Sequence, residues 1–526
     1  MDILSKLTEV IEADHDGFDN YVATTKHPGN ALFAIALCTS ISSIFAMPTI
    51  VKLIGRHLLR MTQTTKEQTT KEQTTVDNAG KIIINQKLQL DGPPHDTSSV
   101  IEYLWKIVAF DDETRRIVRL AIPLICSANT KHATNLITLA IISHYLGAEA
   151  MMVYSMVHCM IEISSCFLLG WIETIDSIGS MAFGAGNNEL CGRYVQTACI
   201  SYALCAIPTA FFWSTTIEKI MLLLGFSKSV AELAQGFVLI CLAYQTVEAL
   251  SLGMQKFLAV IEKETYSNVM FCLSCVTRAV LLALFATTMK APSLNAFGVV
   301  ILVNSVVFFL AGFIMIPIQM GWTDNFGKGL FGRCSNRWSV MKEVFVAACP
   351  LAFGRLIEEA EWEVLTLFAA TMGPAEVATW ATIAFIWNFS ESTTMAIGDA
   401  SEVRVAYQLG KGRPGMAKLA GYKSMYVAFI MAVLGSAIFL SMKHVLPSLL
   451  TKDATIQFML SDLFPLIALS NVSMTVGMVA WTVVGGQGRY DLATKTAVAC
   501  SFLVTFPIAG GKTAFNYCMQ SNDLSN

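Results

Sequence analysis

Charge is what this sequence has least of. Only 14% of its 526 residues are Asp, Glu, Lys or Arg, against about a quarter in a soluble globular chain. Long stretches carry none at all, so the chain cannot cover itself with a water-soluble surface. The formal net charge is −3 and no basic stripe is present, which excludes nucleic acid as a partner. Metal-ligand spacing is also missing. Cys272 and Cys275 form a C-x-x-C inside an apolar run, with no second pair, and such cysteines are small packing residues rather than a metal or redox site. No motif for a cofactor is present, and nothing points to an enzyme. A cleavable signal peptide is absent too: the first thirty residues are polar and acidic, and the first apolar run follows them.

What the chain has is apolar runs. A bilayer core needs roughly 20 apolar residues per helix. An isolated first run covers 31–51, and a polar segment of some sixty residues follows. That segment holds a duplicated TTKEQ (64–68 and 69–73) and Pro93-Pro94, the composition of a disordered linker. Residues 99–110 (SVIEYLWKIVAF) have the spacing of an interfacial helix. Eleven more runs lie near 117–142, 152–179, 195–217, 231–254, 268–289, 297–320, 344–372, 376–398, 421–442, 460–484 and 492–510. About twelve membrane helices are predicted.

Lys and Arg orient them. With the segment before Arg115 in the cytoplasm, alternate loops hold Arg193; Lys256 and Lys263; Lys328, Arg333, Arg337 and Lys342; Arg404, Lys411, Arg413, Lys418 and Lys423; and Arg489 and Lys495, fourteen in all. The opposite loops hold five: Lys219, Lys228, Lys290, Lys443 and Lys452.

The two halves repeat. Pro123-Leu124 opens one run and Pro350-Leu351 its counterpart. Gly147 and Gly373 close them, Gly184 (FGAG) and Gly410 (LGKG) follow 37 residues later, and Leu224 and Leu450 follow 40 after that. The offset is about 226 residues, or six helices. An even number of crossings preserves direction, so the repeats are parallel and related by an axis along the membrane normal, a transporter architecture with its site between two lobes. The glycine pairs Gly184/Gly186 and Gly410/Gly412 suit tight inter-helix turns that need close approach and positive φ.

The segment 356–363, LIEEAEWE, lies at the centre of a run. An acid at the middle of a membrane helix costs roughly 2.5–3.5 kcal/mol on insertion scales, so it needs a wet cavity, a partner or a proton. Glu359 and Glu363 share a helix face, Glu358 and Glu361 sit to either side, and Arg355 is in reach of Glu358 or Glu359. Burial disfavours the charged carboxylate, so a site of this kind holds either a proton or an organic cation, and competition for it gives exchange without covalent chemistry. Trp362 offers a face for a flat cation.

Several segments resemble one family. TIDSIGSMAFGAG (174–186) resembles the ALDTLCGQAFGAG segment of the multidrug and toxic compound extrusion (MATE) transporters. RVAYQLGKG (404–412) resembles their RVGNxLGAG, MQKFL (254–258) their LQRFL, VVGGQG (483–488) a decayed VLRGxG, and TFPI (505–508) their GLPL. The likeness runs from about 115 to 510.

The resemblance implies an all-α integral membrane protein of two six-helix lobes in a parallel repeat, here with one extra N-terminal helix and without the family's final helix. The expected divisions are 1–60, an acidic N-terminus and the extra helix; 61–113, a cytoplasmic linker; 114–322, the N-lobe; 323–343, an inter-lobe loop; and 344–526, the C-lobe, with helices 7–11 and a short polar tail. It implies a monomeric antiporter in the plasma membrane or an endomembrane of a eukaryotic cell, exporting organic cations, xenobiotics or metabolites against protons, or against sodium. A lipid or amphipath flippase of the same fold and a non-transporting member are the alternatives.

Aligned with eukaryotic members, Glu358 and Glu363 match two acids implicated in cation and proton binding. The family's acids in the eighth and tenth helices fall on Phe385 and Met474, so Glu391 is the candidate substitute. Asp176 matches the ALDTL acid, a structural or gating position. Lys131 and Glu162 form a candidate buried pair in the first lobe. Arg278 has no evident partner in the sequence.

Overall fold

The structure, a computed structural model, describes residues 105–289, 293–332, 337–370, 374–451, 453–507 and 509. The run at 31–51, the linker and the tail beyond 510 lie outside the described residues, as does the start of the segment 99–110. Of that last segment, Trp105 and Phe110 are largely exposed.

Lipid offers no hydrogen bonds to a bare backbone, so the apolar runs must be helices. Eleven long ones are described: α1 (Asp112–Leu146), α2 (Ala148–Gly184), α3 (Asn188–Leu223), α4 (Lys228–Val260), α5 (Glu264–Thr288), α6 (Leu294–Gln319), α7 (Arg337–Ala370), α8 (Pro374–Gly410), α9 (Pro414–Ser441), α10 (Ala454–Gly485) and α11 (Tyr490–Cys500). Polar residues in the short loops start several of them. Asp111 accepts from the Glu113 and Thr114 amides at the head of α1, Asn187 from Leu190 at α3, and Asp453 from Thr455 and Ile456 at α10, which satisfies donors that have no intrahelical partner. Three stretches are π-helical: Ile175–Gly179 in α2, Phe308–Met315 in α6, and Ser501–Thr505, which continues α11.

Seven helices, α2 to α6 with α9 and α10, combine length and apolarity enough to cross a bilayer. Among the other four, α1 carries Glu113, α7 Arg355 and Glu358, and α8 Asp399 and Arg404 to the lobe interface. α2 to α6 bury one apolar cluster around Ile161, Phe237 and Phe297 and a second around Phe257 and Phe313. The second half has its own clusters around Phe464 and around Val479.

The first turns of the helices that open the two lobes reach across to the opposite half, while Ile142 of α1 and Leu365 and Ala369 of α7 pack within their own. Leu120 and Ala121 of α1 pack into the second-half cluster with Ala400 and Val479. Val340, Val344 and Ala348 of α7 pack into the first-half cluster with Phe257. These segments correspond under the repeat, so the exchange is reciprocal.

The glycine turns meet at the same end. Gly186 and Gly412 have φ of 77° and 67°, the left-handed turns expected of them. Gly184 and Gly410 serve a different purpose: a Cβ on Gly184 would stand 2.3 Å from the Tyr407 carbonyl oxygen, and one on Gly410 would stand 2.1 Å from that of Met181. Met181 and Tyr407 are themselves repeat partners. The contact is therefore symmetric, and the lobes are closed at this end.

Three of the basic residues assigned to loops are helical and buried: Lys256, Arg404 and Lys423. Lys256 and Arg404 face carboxylates, and Lys423 Nζ pairs with Asp111 (3.0 Å) and donates to the Ala109 carbonyl (2.9 Å). Eleven against five remain, so the asymmetry holds. Single cysteines at the exposed positions Lys328 and Lys411 should resist an impermeant maleimide added outside intact cells, and one at Lys228 should react. Labelling of Lys328→Cys or Lys411→Cys from outside would reverse the orientation.

Candidate functional site

α2 and α7 cross where Gly170 lies against Ala352; a Cβ on Gly170 would be 2.8 Å from the Ala352 backbone. One turn beyond the crossing, Arg355 of α7 reaches across to α2. Its Nη2 and Nε donate to the two oxygens of Glu173 at 2.9 and 3.2 Å, and its Nη1 donates to Glu358 at 3.4 Å. The forked guanidinium suits this two-point contact. The same guanidinium lies 5.8 Å from the Trp481 ring centre. The cation's first partner is thus on the opposite lobe, a contact invisible to spacing along α7, and Glu359 is not its partner.

Past this bridge the two helices expose their acids. Cys166 of α2 donates to Glu359 at 3.7 Å and to Glu162 at 4.0 Å, which brings one carboxylate from each lobe to a single thiol. Glu363 joins them within electrostatic reach of Cys159. Glu391 of α8 lies within such reach of Glu358, Arg355 and Glu359. Five carboxylates (Glu162, Glu173, Glu358, Glu359 and Glu391) therefore gather about one arginine, and Glu363 stands further along α7 toward Cys159.

Two neighbours in LIEEAEWE point elsewhere. Glu361 accepts a hydrogen bond from Ser501 in the π turn of α11. Trp362 stacks on Trp380 at 4.8 Å and on Trp387 at 6.3 Å, in planes 23° and 22° apart. Its ring is occupied by protein rings rather than standing free.

The pairing of Lys131 with Glu162 is not found. Among the described residues Lys131 makes no ion pair and lines a cavity with Glu248 and Arg278, while Glu162 faces Glu359. On a helix surface only residues three or four apart are neighbours by sequence alone; partners on different helices depend on how those helices rotate. Arg278 is explained here: it donates to Glu248 of α4 and Asn135 of α1, both at 2.9 Å. The acid at 248 sits at bilayer depth in its run, and that was the sequence signal for it. His158 is also satisfied, 2.5 Å from the Tyr244 hydroxyl and 3.3 Å from Gln245.

Asp176 lies deeper, within the π turn of α2. It accepts from Lys256 of α4, which also reaches Asp399 of α8 at 3.4 Å. Tyr490 of α11 closes the layer by donating to Glu402. Next to it, Arg404 of α8 makes a two-point contact with Glu113 of α1 at 3.0 and 2.9 Å, joined by Gln408 at 3.1 Å. Both sets cross from lobe to lobe at the closed end, and Asp176 anchors the Lys256 that bridges to Asp399. Lys256→Met leaves Asp176 and Asp399 without their cation. Removing one member of a buried pair costs about 3 kcal/mol or more, so the melting temperature of the purified protein should fall by several degrees; an unchanged midpoint would show that the bridge contributes nothing.

A family model described as MatE matches residues 123–284 and 350–509, more than half of the chain, one copy on each half of the repeat. The chain belongs to the MATE family. It is similar to Protein DETOXIFICATION 38 of Arabidopsis thaliana, 22% identical over 423 residues that cover 78% of this chain and 81% of that protein. The MATE transporter VcmN of Vibrio cholerae in its bent form shares the fold with a TM-score of 0.67 at 15% identity, over 80% of this chain and 99% of that one. The eukaryotic MATE transporter AtDTX14 does so with a TM-score of 0.62 at 19% identity, over 77% and 95%. The chain is thus a multi-pass integral membrane transporter and not an enzyme, and the expected family and fold both hold. In a MATE transporter the crossing of α2 and α7 is the boundary between lobes, which is where this chain collects its acids.

Proposed function

We propose that this MATE transporter exports organic cations in exchange for protons, with Glu358 and Glu363 as the exchanging carboxylates and Glu391 as their partner on α8. The observation that carries this reading is the charge imbalance at the lobe boundary, where Glu162, Glu173, Glu358, Glu359 and Glu391 lie about the single Arg355 and Glu363 stands further along α7 toward Cys159. Glu173 is held by Arg355 through both oxygens. Glu359 and Glu162 share the Cys166 thiol. Glu358 has only a long contact at 3.4 Å, and Glu363 is exposed.

A site so rich in acids at bilayer depth favours cations or protons. An organic cation entering from one side satisfies the same charge that protons satisfy from the other. The site cannot hold both fully, and that competition is the coupling.

The test is transport by the purified chain in sealed vesicles. Imposing a pH gradient should drive movement of a fluorescent organic cation, and a sodium gradient at equal pH should not. Movement driven only by sodium would replace the proton in this scheme, and movement of neither would remove antiport altogether.

A further inference from the structure

The first lobe contains a second polar centre that the exchange mechanism does not use. Its cavity lies between four helices of that lobe: Lys131 comes from α1, Glu248 and Ser251 from α4, Ser274 and Arg278 from α5, and Ser305 from α6, with Phe271, Phe308 and Phe313 closing the space. The free room is that of about two or three waters. We infer that this cavity is a binding site for a small monovalent anion, a halide or the carboxylate head of a small acid, held by Lys131, Arg278 and Ser274.

The charge count supports it. Two cations face one acid, and that acid is already engaged: Glu248 accepts from Arg278 at 2.9 Å and from Ser305 at 3.3 Å. Lys131, exposed at one edge of the cavity, is a charged side chain near the middle of a 35-residue helix with no ion-pair partner among the described residues. An unpaired lysine at bilayer depth is costly unless something answers its charge.

The hydrogen-bond count points the same way. Arg278 is only 8% exposed, and its Nε–H has no partner. Ser274 accepts from Asn304 at 3.2 Å, which leaves its own hydroxyl hydrogen to give. Donors without acceptors beside a cavity ask for an acceptor. Ser251 and Ser305 have spent their protons on the Val247 carbonyl and Glu248. Phe308 and Phe313 both fall within the π turn of α6, so that irregular turn carries two walls of the cavity, as π turns at functional sites commonly do. The positive rims of aromatic rings also suit an anion.

The size of the space excludes anything much larger than chloride, nitrate or formate. The expected role is to neutralise the charge of Lys131 and so to tie α1 to α5 and α6.

The experiment measures thermal unfolding of the full chain in lipid nanodiscs, at constant ionic strength, in chloride, formate or gluconate. Chloride or formate should raise the midpoint by several degrees in a saturable way, and gluconate, too large to enter, should not. Chloride acting alone would mark a resident halide, and formate acting more strongly would mark a carboxylate head. Lys131→Gln should abolish the difference between salts, Lys131→Arg should keep it, and Ser274→Ala should raise the half-saturating concentration several-fold. Glu358→Gln should keep the response, because the site is independent of the exchange carboxylates. Equal midpoints in all three salts, a full response in Lys131→Gln, or an unchanged half-saturating concentration in Ser274→Ala would overturn the inference.

Discussion

Glu358→Gln and Glu363→Gln should each reduce pH-driven export of an organic cation by about 30-fold or more while the protein still inserts and folds. The amide keeps the size and the hydrogen-bonding capacity of the acid and removes only the titratable charge. Losing one side of a desolvated charge contact costs about 2 kcal/mol or more, which is the origin of the factor. Insertion should not suffer, since a neutral amide is no more costly in the membrane than a protonated acid.

Glu361→Gln sets the comparison. Its carboxylate faces Ser501 of α11 rather than the other lobe, and a glutamine there can still accept that hydrogen bond. Export should stay within about threefold of the parent, as for the loss of a modest interaction under 1 kcal/mol. If all three variants export like the parent, the acids of α7 are structural and the coupling site lies elsewhere. A loss confined to Glu361→Gln would invert the assignment.

The second large effect is expected at the symmetric glycine contact. Gly184→Val and Gly410→Val should each bring export close to background at normal membrane abundance. A Cβ at either position would enter the backbone of the opposite lobe at 2.3 or 2.1 Å, and a backbone cannot turn aside as a flexible side chain can. The lobes must separate at this end, which also pulls Arg404 from Glu113 and Lys256 from one of its two acids. An alternating transporter needs both of its states within reach. Destabilising one by about 3 kcal/mol moves the balance more than 100-fold. Gly186→Val is the control, because nothing lies within 4 Å of its Cβ and its φ of 77° makes it a local turn problem. Transport by Gly184→Val at the parent rate would show that the closed end seen here is not part of the cycle.

The sequence alone went far in this chain because a bilayer reduces the choices. Where lipid forbids an unsatisfied backbone, an apolar run of sufficient length is a helix, and α2 to α6, α9 and α10 were legible for that reason. The repeat was legible because equal spacings at Gly147/Gly373 and Gly184/Gly410 do not depend on any fold. The acids of LIEEAEWE stood out because charge at that depth is costly. Arg278 and Glu248 carried the same signal, and the acid went unread because its run looked otherwise apolar.

Partners were another matter. That Arg355 answers to Glu173, that Glu162 faces Glu359 and not Lys131, and that Lys256 and Arg404 are buried bridges rather than loop charges all depend on how helices from two lobes rotate and cross. Periodicity says which residues share a face of one helix, and it is silent on which helix that face meets. The glycines show the division most plainly. Their sequence context announced tight turns, and Gly186 and Gly412 make them. Only the tertiary structure assigned Gly184 and Gly410 to each other's lobes, because a missing side chain records that something must come close and not what comes.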